Sequence, residues 1–148
     1  MTESLVTEDW QLPTVELRLA IHALTAEHAW RLDHGQSDTL HNLYTVYGEL
    51  VGLPPRDLIG RAAIAAWGAE RVKLARTSRH VETNQRLVWK GDVLHGVLYA
   101  CVYRSDTADT SDTSPLMVGD YEDEYAQENG VWKIFRRTIR RAFFRAAR

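Results

Sequence analysis

The chain has 148 residues, a single cysteine and a formal net charge of −2, a length that suits one domain built on one core. Near-neutral charge speaks against a dedicated nucleic-acid binder, whose affinity rests on a strongly positive surface, and one thiol excludes an internal disulfide. No apolar run approaches membrane-spanning length, and the acidic opening MTESLVTEDW lacks the basic patch and apolar stretch of a signal peptide, so a cytoplasmic location with no membrane partner is expected.

Residues 1–12 read as a tail or cover segment. Pro13 and Thr14 then introduce a run in which Leu17, Ile21, Leu24, His28 and Leu32 recur at steps of four, three, four and four, the spacing of one buried helical stripe. Gly35 supplies its stop. Ser37 or Asp38 can cap a short second helix carrying Leu40, Leu43 and Tyr44. A strand is expected over 45–53, a turn at Pro54-Pro55, a short strand near 57–59 and a third helix over 61–73 with Ile64, Trp67 and Val72. Past residue 78 the period changes to two. That predicts strands at 79–89, 92–104, 115–127 and 131–141, turns at Gly91-Asp92 and Asn129-Gly130, and a polar loop over 105–114. The order predicts an α+β domain over 13–141, followed by a basic tail over 142–148. In it a curved, mostly antiparallel sheet carries three helices from the N-terminal half on its concave face, around one core and one pocket.

Three side chains stand out as acid–base candidates. Asp33 falls in the last turn of the first helix, where a carboxylate faces the negative end of the helix dipole at a cost of up to about 1 kcal/mol. Read alone, it is either an exposed helix-end residue or the partner of an imidazole. His80 opens a strand, and read alone it is either a structural histidine or a general base. If Asp33 accepts its Nδ1–H, Nε2 is fixed as the basic nitrogen and the carboxylate stabilises the imidazolium formed on proton abstraction. His28 interrupts the apolar stripe, so it needs a partner or a cavity; a satisfied core histidine and a substrate contact both meet that need.

The other signals are quieter. Six histidines raise the question of a metal, yet no HxxxH pair and no Cys/His cluster of zinc spacing occurs, so no metal is expected. The loop with Asp106, Asp109 and Asp112 lacks the calcium-loop pattern. No Gly-rich phosphate loop and no nucleophile elbow is present. Cys101 reads as a buried thiol. Tyr121, Tyr125 and Trp132 either fill the core or line a cavity.

The segment EHAWRLDHGQSDTL (27–40), the start of the third helix with Gly60, Arg61 and Ile64, RHVETN (79–84) and the closing hairpin YEDEYAQENGVWKIFRR (121–137) together carry a resemblance. Over roughly residues 12–140 the chain resembles the SnoaL-like group of the nuclear transport factor-like α+β cone folds. The resemblance implies a cone-shaped pocket between helices and sheet. It does not by itself name a reaction, because the scaffold hosts isomerases, dehydratases, cyclases, epoxide hydrolases and non-enzymes. Within the group, the Asp-then-His order is similar to that of scytalone dehydratase, bile-acid dehydratase and hexachlorocyclohexane dehydrochlorinase, which remove a proton and a leaving group from adjacent carbons. That likeness implies a dyad of Asp33 and His80. It sets His28 where relatives carry Lys or Tyr, and Arg137 on the last strand to attract a developing anion. The expectation is a cofactor-free lyase or isomerase performing a dehydratase-like elimination on a small, apolar, cyclic substrate. His80 is the base, Asp33 orients it, and His28 or Arg137 assists the departing group. A non-catalytic small-molecule-binding domain and an assembly subunit resembling the small subunit of ring-hydroxylating dioxygenases are the alternatives. The resemblance also implies a homodimer or homotrimer.

Overall fold

The computed structural model describes residues 11–145. The expected tail or cover segment over 1–12 therefore lies almost wholly outside the described residues, and of the basic tail over 142–148 only 146–148 do. The first helix, α1 (Val15–Asp33), is capped by Thr14, whose hydroxyl accepts from the Leu17 amide at 3.2 Å. Its Ile21 and His28 are buried, with Leu17, Leu24 and Leu32 packed on the same core, so the predicted stripe is the one that faces the sheet. The second helix, Ser37–Leu43, is a 3-10 helix rather than an α-helix; seven residues lying between two turns of chain give few i to i−4 bonds to lose. Two strands follow, β1 (Tyr44–Val51) and β2 (Leu58–Ile59), and then α2 (Arg61–Arg71). Gly60 starts α2 with φ of 87°, a conformation that costs a glycine little.

The rest is a meander of β3 (Thr77–Lys90), β4 (Val93–Ser105), β5 (Met117–Glu128) and β6 (Val131–Phe144). The sheet order is β2-β1-β6-β5-β4-β3, antiparallel except where β1 lies parallel to β6. β6 runs past the expected end at 141, because Phe143 and Phe144 still pair with Val118 and Met117. The β1–β6 pairing sets Leu50 opposite Arg137, so the first strand closes the sheet beside the last.

Alternation decides what enters the space beneath the helices. The inward residues are Ser78, His80, Glu82 and Leu87 on β3, Leu94, Leu98, Ala100 and Val102 on β4, and Met117, Tyr121, Asp123 and Tyr125 on β5. Cys101 lies on the opposite face beside exposed Tyr99 and is half-buried rather than buried. Helix α2 crosses the 3-10 helix closely: a Cβ on Gly68 would lie 2.0 Å from the Ser37 carbonyl oxygen, and the Ser37 hydroxyl donates to the Gly68 carbonyl at 3.0 Å. Among the described residues, no helix is long and apolar enough to cross a membrane.

Candidate active site

The last turn of α1 meets the start of β3. There the Asp33 carboxylate accepts three bonds: from His80 Nδ1 at 2.6 Å, from the His80 amide at 2.8 Å and from the Ser78 hydroxyl at 2.8 Å. Both side chains of the pair are almost entirely enclosed. Burial works to raise the Asp33 pKa, but the bonds from His80 and Ser78 outweigh it and hold the carboxyl below its ordinary value. A carboxylate at Nδ1 places the proton there and leaves Nε2 with its lone pair. Among the described residues no group is hydrogen-bonded to Nε2. Behind the dyad, Arg71 at the end of α2 donates to the Ser78 hydroxyl and to the Leu32 carbonyl, both at 3.3 Å.

Two hollows flank this point. One, of about 440 Å³, lies between helices and sheet, with His28, Arg137 and Tyr121 at its buried end and Leu74, Arg104 and Phe144 at its exposed end. The other, of about 430 Å³, lies between α1 and β3 and is lined by Asp33, Glu82, Asn84 and Gln85. His80 is the one lining residue they share. Asp33 borders only the outer hollow, whereas His80 also borders the inner cavity. The inner cavity is the better reaction chamber, since it joins His80 to the buried cluster of His28, Tyr121 and Arg137.

The buried end of the inner cavity holds a second polar cluster. Arg137 is fully buried and grips Asp123 with two bonds, Nε to Oδ1 at 2.8 Å and Nη2 to Oδ2 at 2.7 Å. Its Nη1 reaches His28 Nδ1 at 3.1 Å and Glu82 Oε1 at 3.4 Å, and its guanidinium lies 4.7 Å from the Tyr121 ring centroid. Arginine only donates, so His28 Nδ1 accepts. The His28 proton is therefore on Nε2, which donates to the Tyr44 hydroxyl at 2.8 Å. Burial, then the Arg137 charge, keeps the His28 pKa well below its ordinary value of 6.5, so the ring is neutral. Burial opposes the charge on Arg137, but Asp123 and Glu82 hold its pKa well above the ordinary value. Glu82 is pushed up to about 7 by burial, against the pull of Arg137, and its Oε2 is buried without a partner. The Tyr121 phenol is raised by burial and stays protonated; among the described residues its hydroxyl makes no hydrogen bond.

All four predicted residues thus lie around one region: Asp33 with His80, and His28 with Arg137. Sequence reasoning missed Glu82, Asp123, Tyr44 and Arg71. The signal for Glu82 was period two, since it stands two residues past His80 on one strand. Asp123 likewise stands between Tyr121 and Tyr125. Arg71 falls seven residues after Ile64 on the buried stripe of α2. Among the described residues, no three His, Cys, Asp or Glu side chains converge to hold a metal ion.

Comparison with known proteins places the fold. Residues 13–138 match the family described as SnoaL-like domain. No curated protein matches the chain significantly. Several solved structures share its fold. A Mycobacterium tuberculosis protein of unknown function is 22% identical, with a TM-score of 0.74 over 86% of this chain and 77% of its own. A candidate scytalone dehydratase from Novosphingobium aromaticivorans is 20% identical, with a TM-score of 0.73 over 90% of each chain. A hexachlorocyclohexane dehydrochlorinase is 17% identical, with a TM-score of 0.72 over 88% of each chain. At these identities the likeness is one of fold.

Proposed function

We propose that this chain, which belongs to the SnoaL-like family, is a cofactor-free lyase that removes a proton and a leaving group from adjacent carbons of a cyclic substrate. The observation that carries the reading is the 2.6 Å bond from His80 Nδ1 to Asp33, on a histidine that lines the inner cavity. Nε2 takes the proton from carbon. The C–H electron pair becomes the new double bond, and the leaving group departs from the neighbouring carbon with its own pair. Asp33 stabilises the imidazolium and fixes its tautomer.

The departing group needs a proton or a positive field. Both His28 nitrogens are committed, one to Arg137 and one to Tyr44, so His28 serves as a positioning residue that holds Arg137. The Tyr121 O–H, kept protonated and lining the cavity, is the donor, and Arg137 behind its ring supplies the field. A general base contributes about 10²–10⁴-fold, so enclosure and orientation supply much of the rest. Two structural relatives carry dehydratase or dehydrochlorinase names, which supports elimination over other chemistry on this scaffold. A cavity of about 440 Å³ weighs against a purely assembling role.

The test is His80→Ala, assayed on a panel of cyclic alcohols and halides that the native protein converts to alkenes. Turnover is expected to vanish while the melting temperature stays near native; normal turnover in this variant rejects the reading. Self-association as a dimer or trimer is part of the same proposal, and sedimentation velocity measures it.

A further inference from the structure

We infer that the substrate carries a carboxylate: an apolar ring system lies in the inner cavity, and arginines toward the exposed end hold its acidic group. The inference rests on the elimination reading in taking that cavity as the substrate's.

Among the described residues, the lining of the inner cavity includes Arg71, Arg76, Arg104, Arg137 and Arg141, and no aspartate or glutamate. Arg137 is matched by Asp123. The other four are under-matched. Arg76 and Arg104 share a single carboxylate, Asp106, at 2.5 and 3.0 Å. Among the described residues, Arg71 has only a hydroxyl and a carbonyl as acceptors, and its Nε is buried without a partner. Arg141 rests on the Phe144 ring, 4.4 Å from its centroid. Burial and the neighbouring Arg76 charge pull the Arg71 pKa down to about 10, a sign of crowded cations. A surplus of one sign inside a low-dielectric cleft raises the local potential and draws in the opposite charge. Guanidinium suits a planar oxyanion, which it can bind with two parallel bonds. A buried, unpartnered N–H is also costly until something accepts from it.

The cluster has a definite place. Arg104 pairs with Ser78 across β3 and β4, and Arg71 bonds that same serine. His80 is two residues further along β3, about 7 Å on an extended strand. The acidic group therefore sits a few bonds from the carbon that loses its proton, with the ring directed inward toward Met117 and Ile139.

Calorimetry on matched acids and amides tests this. The probes are 2-naphthoate against 2-naphthamide, and anthracene-2-carboxylate against its carboxamide, at low salt and neutral pH. At least one acid is expected to bind about tenfold or more tightly than its amide. In the Arg76→Met/Arg104→Met double variant the preference should fall to about threefold or less, with amide affinity unchanged. Arg104→Gln alone should give an intermediate loss, which keeps the test intact if the double variant melts early. His80→Ala should retain the full preference, so failure of the elimination chemistry is separable from failure of anion recognition. Equal affinity for acid and amide, no binding of either acid, or an undiminished preference in the arginine variants overturns the inference.

Discussion

Two histidines border the same cavity, and they differ in what their second nitrogen is doing. His80 gives Nδ1 to a carboxylate and keeps Nε2 without a protein partner, whereas His28 has Arg137 on one side and Tyr44 on the other. The first arrangement leaves one site of reaction, aimed and oriented. The second leaves none. It holds a buried cation in place and is the kind of fully bonded network that fixes one packing. The same contrast separates Asp33 from Asp123. Asp33 supports a base at the seam between helix and sheet; Asp123 neutralises a guanidinium that no water reaches. Reactivity here depends less on which residue types are present than on which of them has a valence left over.

Substitutions can break this contrast from either side. The largest effect is expected for Asp33→Asn. Binding should persist, but turnover should fall by about 10⁴-fold as the tautomer is lost, as measured by initial rates on a substrate of the native protein. Next is Asp123→Ala, which leaves the Arg137 charge buried and without its main partner. Chemical denaturation should show a loss of about 3–5 kcal/mol, with turnover per folded molecule falling far less than in Asp33→Asn, because His28 and Glu82 still hold Arg137. Tyr121→Phe tests the boundary between the two clusters: it keeps the ring over Arg137 and removes the hydroxyl. The maximal rate should drop by about 10–10²-fold with little change in stability, if that hydroxyl meets the departing group.

The smallest effect is a pH dependence carried by two groups of opposite sign. The Glu82 pKa is raised by burial from 4.5 to about 7, so between those values the folded state binds more protons than the unfolded one. Stability from this group therefore falls as pH rises through that window. The His28 pKa is lowered, so the unfolded state binds more protons below 6.5, and stability from it falls as pH drops. Glu82→Gln removes the first and exposes the second. At pH 8 the variant should be more stable than native by about 1–2 kcal/mol. It should then lose stability steadily from pH 7 to pH 5, where the native protein changes little. Parallel pH profiles for the two would show that Glu82 is not the titrating group.

Much of this was legible from patterning, for identifiable reasons. The helical stripe from Leu17 to Leu32 and the period-two strands after residue 78 are local, so the elements could be read nearly to their ends. Asp33 and His80 stand 47 residues apart; nothing local joins them, and only the order of helices and strands brings them together. The bonding of His28 was not legible, because it depends on where Arg137 and Tyr44 arrive from β6 and β1, distant in sequence. Asp123 and Glu82 were within reach of the alternation that identified their neighbours. Charged residues are seldom assigned to a core face, and that habit hid them. The 3-10 form of the second helix and the close crossing at Gly68 depend on the neighbouring backbone.

The three bonds that Asp33 accepts come from β3 alone, and Asp33 itself ends α1. The carboxylate that tunes the base is thus also the rivet between two layers of the molecule. A copy whose helix has lifted from the sheet loses its orienting group at the same instant. Half-opened molecules in a cell would then carry an ordinary histidine and no aimed one, so competence is confined to chains that have closed completely.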